Sequence, residues 1–173
     1  RNIDNPKETQ TQKTGLVGME GEMVEGGFKV THVVPDGPLT KGLAPIEEGD
    51  VIVSVDRVPV TSQLNVFSLF ADKVDSETLL QVQRGEDSFE SIVWATGSLR
   101  DENYDAWVEG RRKLVDDYSG GRLGYLHIRA MGWEAFERFE TELVAAGYGK
   151  EGIVIDVRYN GGGWTTDYLM TVL

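Results

Sequence analysis

The segment that most constrains this chain is Gly152-Ile153-Val154-Ile155-Asp156-Val157, a nearly continuous β-branched run that leads into Asn160-Gly161-Gly162-Gly163. Such a run suits a strand buried on both faces of a parallel sheet. Upstream, residues 122–128 read as a strand. Residues 133–146 read as a helix, with Trp133, Phe136, Phe139 and Leu143 facing inward at helical spacing. Strand, helix and strand form a βαβ unit, expected to cross over right-handed. Beyond the glycines, residues 164–173 read as a further helix. Two parallel strands do not finish a domain, so this part is expected to open a larger α/β domain. Arg1-Asn2-Ile3-Asp4 reads in the same way, as a cut inside a longer protein.

The rest of the chain has a different character. Residues 1–14 are polar and read as a linker or tail. From Gly15 to Ala95 short alternating strands are separated by glycine turns: 15–23, 28–34, 51–55, 78–84 and 88–94. Ser62 is a candidate N-cap for a helix over 63–74 that carries Leu64, Phe67 and Phe70 on one face. Asp101 is a candidate N-cap for a helix to Tyr118, with Tyr104, Trp107, Val108, Leu114, Val115 and Tyr118 on one stripe. Gly120-Gly121 ends it.

Charge and composition exclude several classes. The 173 residues carry a net charge of −12, and no basic footprint for nucleic acid appears beyond Arg111-Arg112-Lys113. Apolar runs are too short to span a membrane. With no cysteine there is no disulfide, no thiolate chemistry and no cysteine-ligated metal. The spacing of Glu47, Glu48 and Asp50 fits no standard metal loop, and a solvated turn is the reading of that stretch. No metal and no cofactor is expected. The compartment, cytoplasmic or periplasmic, is left open by the residues.

Residues 15–97 resemble a PDZ domain of the kind built into bacterial proteases. The resemblance rests on Gly15-Leu16-Val17-Gly18, on Val33-Val34-Pro35-Asp36-Gly37-Pro38, on Gly42-Leu43 and on Glu48-Gly49-Asp50-Val51-Ile52-Val53-Ser54-Val55-Asp56. Where that family has Asn-Gly, this chain has Asp56-Arg57. The favoured two-residue turn chemistry is lost, and a longer or differently shaped loop is expected there. The resemblance implies a small β-barrel with helices that adds a peptide as an extra strand. The implied peptide-binding residues are the loop Gly15, Leu16, Val17 and Gly18, the edge 16–23, and a wall of Leu64, Phe67 and Phe70. A terminal carboxylate would sit on the loop N–H groups. The same apolar stripe also serves simply as core.

Residues 104–112, 124–132 and 151–163 resemble the tricorn protease family, allied to the C-terminal processing peptidases. The closest stretch is Asp156-Val157-Arg158-Tyr159-Asn160-Gly161-Gly162-Gly163. The implied organisation is a linker 1–14, the PDZ-like domain 15–97, a helical connector 98–121, and the start of an α/β serine peptidase domain at 122–173, mixed α+β overall. The resemblance implies that Gly161 or Gly162 supplies an oxyanion-hole N–H. It puts the histidine base before the PDZ domain and the nucleophilic serine after the glycine loop. The chemistry of the loop agrees. Preorganised backbone donors lower an acyl-transfer barrier by about 3 kcal/mol each, and Asp156 and Arg158 stand at alternate strand-end positions from which to brace it. A tight turn or a phosphate cradle is the plainer alternative.

His127, one of two histidines, lies in a strand between Leu126 and Ile128 and reads as structural; so does His32. The leading expectation is therefore part of a serine-type peptidase, inactive alone, with a PDZ domain for a peptide or protein C-terminus. Other readings are a stand-alone peptide-binding module and a crotonase-like acyl-CoA enzyme. Self-association is expected through the unfinished sheet.

Overall fold

A computed structural model describes residues 13–173 and divides within its longest helix into two compact units, one ending at Asn103 and the other spanning Tyr104–Leu173. Most of the expected linker, residues 1–12, lies outside the described residues. Its last positions are not a free tail: Thr14 pairs with Ala71, and the Asp72 N–H donates to the Lys13 carbonyl at 2.7 Å.

The first unit is built on an antiparallel sheet of β1 (Met19–Val24), β2 (Gly27–Val33), β3 (Val51–Val55), β4 (Val58–Pro59), β5 (Ser76–Arg84) and β6 (Asp87–Ala95). The order is β1-β2-β3-β5-β6, with β4 on β3, so β1 is an edge. Alternation, with a register shift between Ile52 and Ser54 that keeps Ile52 and Val55 on one face, sends Val30, Ile52, Val55, Leu80, Val82 and Val93 into one core, where they meet Leu39, Ile46, Val66 and Phe70.

Three expectations fail in this unit, each for a local reason. The helix over 63–74 is a 3₁₀ turn, Val66–Phe70, capped by Asn65 through a bond from the Phe67 N–H at 3.1 Å rather than by Ser62. Asp72 and Asp75, both at positive φ, prevent its continuation. The Asp56-Arg57 turn is not lengthened. Val55 pairs with Val58 across two residues at φ 47° and 67°, the backbone of a type I′ turn. Asp56 substitutes for the missing Asn-Gly chemistry by bonding at a distance: its N–H donates to the Leu79 carbonyl and its Oδ1 accepts the Leu79 N–H, each at 2.7 Å, while Lys73 pairs with its carboxylate. Asp50, finally, is not solvated. It is buried, and Arg84 donates to both of its oxygens at 2.7 Å.

Helix α1 spans Arg100–Ser119, so Asp101 lies inside its first turn rather than at the cap. The expected apolar stripe is partial: Val108 is buried, whereas Leu114 and Tyr118 are exposed. Gly120 and Gly121, both at positive φ, close the helix in a Schellman arrangement, with their N–H groups on the carbonyls of Asp117 and Asp116.

The second unit holds the expected βαβ: β7 (Leu123–His127), α2 (Trp133–Gly147) and β8 (Gly152–Asp156), with the strands parallel and Leu126 opposite Ile155. A short helix α3, Thr166–Val172, follows. Leu126, Ile128, Phe136, Phe139 and Leu169 form the core, with Leu143, Ile153 and Ile155 against it. Two details depart from expectation. Trp133 is half exposed, at the rim of the core. Strand β8 is not buried on both faces, because Val154, which alternates with Ile153 and Ile155, is 38% exposed. No helix among the described residues is long and apolar enough to cross a membrane.

Candidate functional site

In the second unit the ends of both parallel strands converge on residues 156–163. Asp156 closes β8, and its carboxylate is buried. Its two oxygens accept from four donor groups: the Tyr125 hydroxyl at 2.8 Å, the Arg158 N–H at 2.9 Å, Arg158 Nε, shared between both oxygens at 3.0 and 2.9 Å, and Arg158 Nη2 at 2.5 Å. The Arg158 side-chain bonds, with its backbone N–H and the Tyr125 hydroxyl, hold this carboxyl well below the usual carboxylate range against the opposing effect of burial. Arg158 is held above its ordinary value by the same contact. Burial, then the bond to Asp156, pushes the Tyr125 phenol up to about 12. The three groups form a closed brace at the base of the loop.

Asn160 ties the loop itself. Its Nδ2 donates to the Ile128 carbonyl at 2.8 Å, and its Oδ1 accepts the Gly162 N–H at 2.8 Å. Gly162 stands at φ 80°, where a side chain would be strained. At Gly163 a Cβ would lie 2.4 Å from the Met131 carbonyl oxygen, so the return from loop to helix needs a residue without one. The sequence motif leaves Gly161 and Gly162 equivalent as donors, and the geometry separates them. The Gly162 N–H is consumed by Asn160, whereas the Gly161 N–H has no hydrogen-bond partner among the described residues.

His127 also ends its strand nearby and is not free for chemistry. Its Nδ1 meets the Tyr104 hydroxyl at 2.9 Å and its Nε2 the Arg158 carbonyl at 2.8 Å. A carbonyl only accepts, so Nε2 carries the proton and Nδ1 accepts from Tyr104. The ring packs edge-on against Trp107 at 4.9 Å. Tyr104 was legible only as a helix-stripe residue; its role as the partner of His127 joins positions 23 residues apart.

In the first unit β1 is an edge of the sheet among the described residues. Leu16, expected to begin that edge, is already paired: its N–H donates to the Thr96 carbonyl at 2.7 Å and its carbonyl accepts the Thr96 N–H at 2.8 Å. The Gly15 N–H is also used, on the Phe70 carbonyl at 2.8 Å. The Val17 and Gly18 N–H groups have no partner among the described residues. Of the expected wall, Phe70 is fully buried and belongs to the core, Leu64 is partly buried, and Phe67 is 44% exposed. Phe67 meets the Phe28 ring edge-on, with centroids 5.8 Å apart.

Comparison with known proteins is consistent with both halves. Residues 15–91 match the model of the PDZ domain, and residues 122–172 match that of Peptidase family S41. The tricorn protease homolog 1 of Streptomyces coelicolor is 32% identical over 93% of this chain and 16% of its own length. The tricorn protease of Thermoplasma volcanium is 29% identical over 72% of this chain and 12% of its own length. A crystal structure of the tricorn protease superposes with a TM-score of 0.80 at 21% identity, over 92% of this chain and 16% of that one. The chain thus spans about one-sixth or less of the length of these relatives. It is a homologue of the tricorn proteases across a PDZ domain and the peptidase family S41 segment that follows it.

Proposed function

We propose that this chain is the part of a serine-type peptidase that carries its peptide-docking domain, residues 15–97, a helical connector, 98–121, and the oxyanion loop of its catalytic domain, within 122–173. One observation carries the catalytic reading. Beside a turn fixed by Asn160 and braced by Asp156 and Arg158, the Gly161 N–H is left without a partner among the described residues. In peptide hydrolysis the carbonyl oxygen gains negative charge as a serine attacks the carbon. A donor already aimed at that oxygen stabilises the transition state more than the ground state. Asn160 serves this by removing the neighbouring Gly162 N–H from competition and holding the turn in shape. The attacking hydroxyl and its base come from other segments, since both nitrogens of His127 are engaged.

The docking reading rests on the edge of β1 together with the Val17 and Gly18 N–H groups, which suit a terminal carboxylate held at the head of an added strand. The same reading has the chain associate with itself through the second unit, where Val154, Val157, Trp164 and Met170 are exposed. A single monomeric species in sedimentation equilibrium at high concentration refutes that part.

The catalytic reading is tested in a longer protein that joins these residues to the serine and histidine segments. Gly161→Pro removes the donor and is expected to lower kcat on short peptides by about 100-fold or more with little change in KM. Gly161→Ala keeps the donor, has open space for its methyl group, and is expected to retain most activity. Full activity of the proline variant overturns the assignment.

A further inference from the structure

The edge of β1 has two chemically different sides, and the difference names a class of peptide. Met19, Gly21 and Met23 stand opposite Val33, Val30 and Phe28 on the core side. Gly21 has no side chain there for a physical reason: a Cβ would lie 2.6 Å from the Phe28 ring and 2.2 Å from the Lys29 carbonyl oxygen. The Phe28 ring therefore reaches under the strand and contacts Phe67, giving that side an aromatic floor and wall. The other side presents Glu20 and Glu22, both exposed.

The charges facing these two glutamates do not neutralise them. Glu22 lies opposite Lys29, with no ion pair between them among the described residues. Glu20 lies opposite His32, whose Nδ1 is 3.1 Å from Glu48. This face of β1 and β2 thus sets Glu20, Glu22 and Glu48 against Lys29 and one histidine.

We infer that the β1 edge selects extended C-terminal peptides with apolar residues at the last and third-from-last positions and basic residues at the second- and fourth-from-last. The inference rests on the docking reading above. With the terminal carboxylate on the Val17 and Gly18 N–H groups, an antiparallel strand places its last four residues opposite Met19, Glu20, Gly21 and Glu22 in turn. Side chains of paired strands share a face, so the third-from-last residue enters the space over Phe28 and the second- and fourth-from-last lie beside Glu20 and Glu22.

The test uses the whole chain and two labelled decapeptides, one ending Lys-Val-Lys-Val and the other Glu-Val-Glu-Val, both with free carboxylates. At low ionic strength the lysine peptide is expected to bind about tenfold tighter, with the ratio falling toward one in molar salt. Backbone amide shifts are expected at Val17–Met23. Glu20→Lys combined with Glu22→Lys, both on the exposed face, is expected to reverse the preference. Equal binding of the two peptides, or a preference that survives the double substitution, overturns the charge selection and leaves the docking reading standing. Binding of neither peptide overturns both.

Discussion

The side-chain oxygen of Asn160 accepts the Gly162 N–H at 2.8 Å, while its amide nitrogen donates to the Ile128 carbonyl, also at 2.8 Å. One side chain therefore joins the glycine loop to the end of the neighbouring strand. In Asn160→Ala the Gly162 amide is expected to exchange with solvent about fivefold or more faster, and stability to fall by about 1–2 kcal/mol. Amide exchange followed by NMR checks this; unchanged protection at Gly162 contradicts it.

Acid should act on this chain partly through Asp156. Its folded-state pKa is depressed below the ordinary value of 3.8, so the stability it contributes is present above that value and is lost as pH falls through the folded-state pKa. Asp156→Asn is expected to cost about 2 kcal/mol at neutral pH and less as the solution is acidified below pH 3.8. Urea unfolding of both proteins across that range decides, and a difference that stays constant with pH counts against the brace.

Tyr125 gives the opposite limb. Its phenol is raised from 10.0 to about 12, so its contribution is intact below pH 10.0 and disappears as pH rises toward 12. Tyr125→Phe is expected to flatten the alkaline loss of stability and to remove one late component from the phenolate absorbance titration. If the titration keeps that component, Tyr125 is not its source.

Arg57 holds a left-handed backbone, φ 67°, without being glycine. Relief of that strain outweighs the added freedom of the unfolded chain, so Arg57→Gly is expected to stabilise by about 1 kcal/mol. The readout is a higher urea midpoint at unchanged slope; a lower midpoint shows that the Arg57 side chain supplies more than its backbone costs.

The chain alone is expected to hydrolyse no peptide. His127 is fixed through both nitrogens, and its one basic lone pair, on Nδ1, is taken by the Tyr104 hydroxyl. Turnover traced to the purified chain, and abolished by a change within it, refutes this.

The parallel pair and its crossover were legible because Ile153, Ile155, Phe136 and Phe139 obey simple periods whose partners lie close in sequence. The left-handed turn at Asp56 was not, because the Leu79 backbone that completes it lies 23 residues away. Nor did the spacing of Leu64, Phe67 and Phe70 reveal that the helix stops after one 3₁₀ stretch, which buries Phe70 and leaves Phe67 outside. The glycine loop was visible as a motif. Which glycine keeps a free donor depended on where the Asn160 amide points, a matter of tertiary geometry.

The tie between Asn160 and Ile128 also sets an order of events. Its partners are 32 residues apart, Ile128 directly follows β7, and the intervening chain holds α2 and β8. The loop therefore acquires its shape only after the crossover has closed, when the entropy of that closure has been met by strand pairing and core burial. A nascent chain displays the glycines without the geometry. A peptidase built on this loop would stay inert throughout its own synthesis and folding, while its unfolded segments are still within reach of any active site.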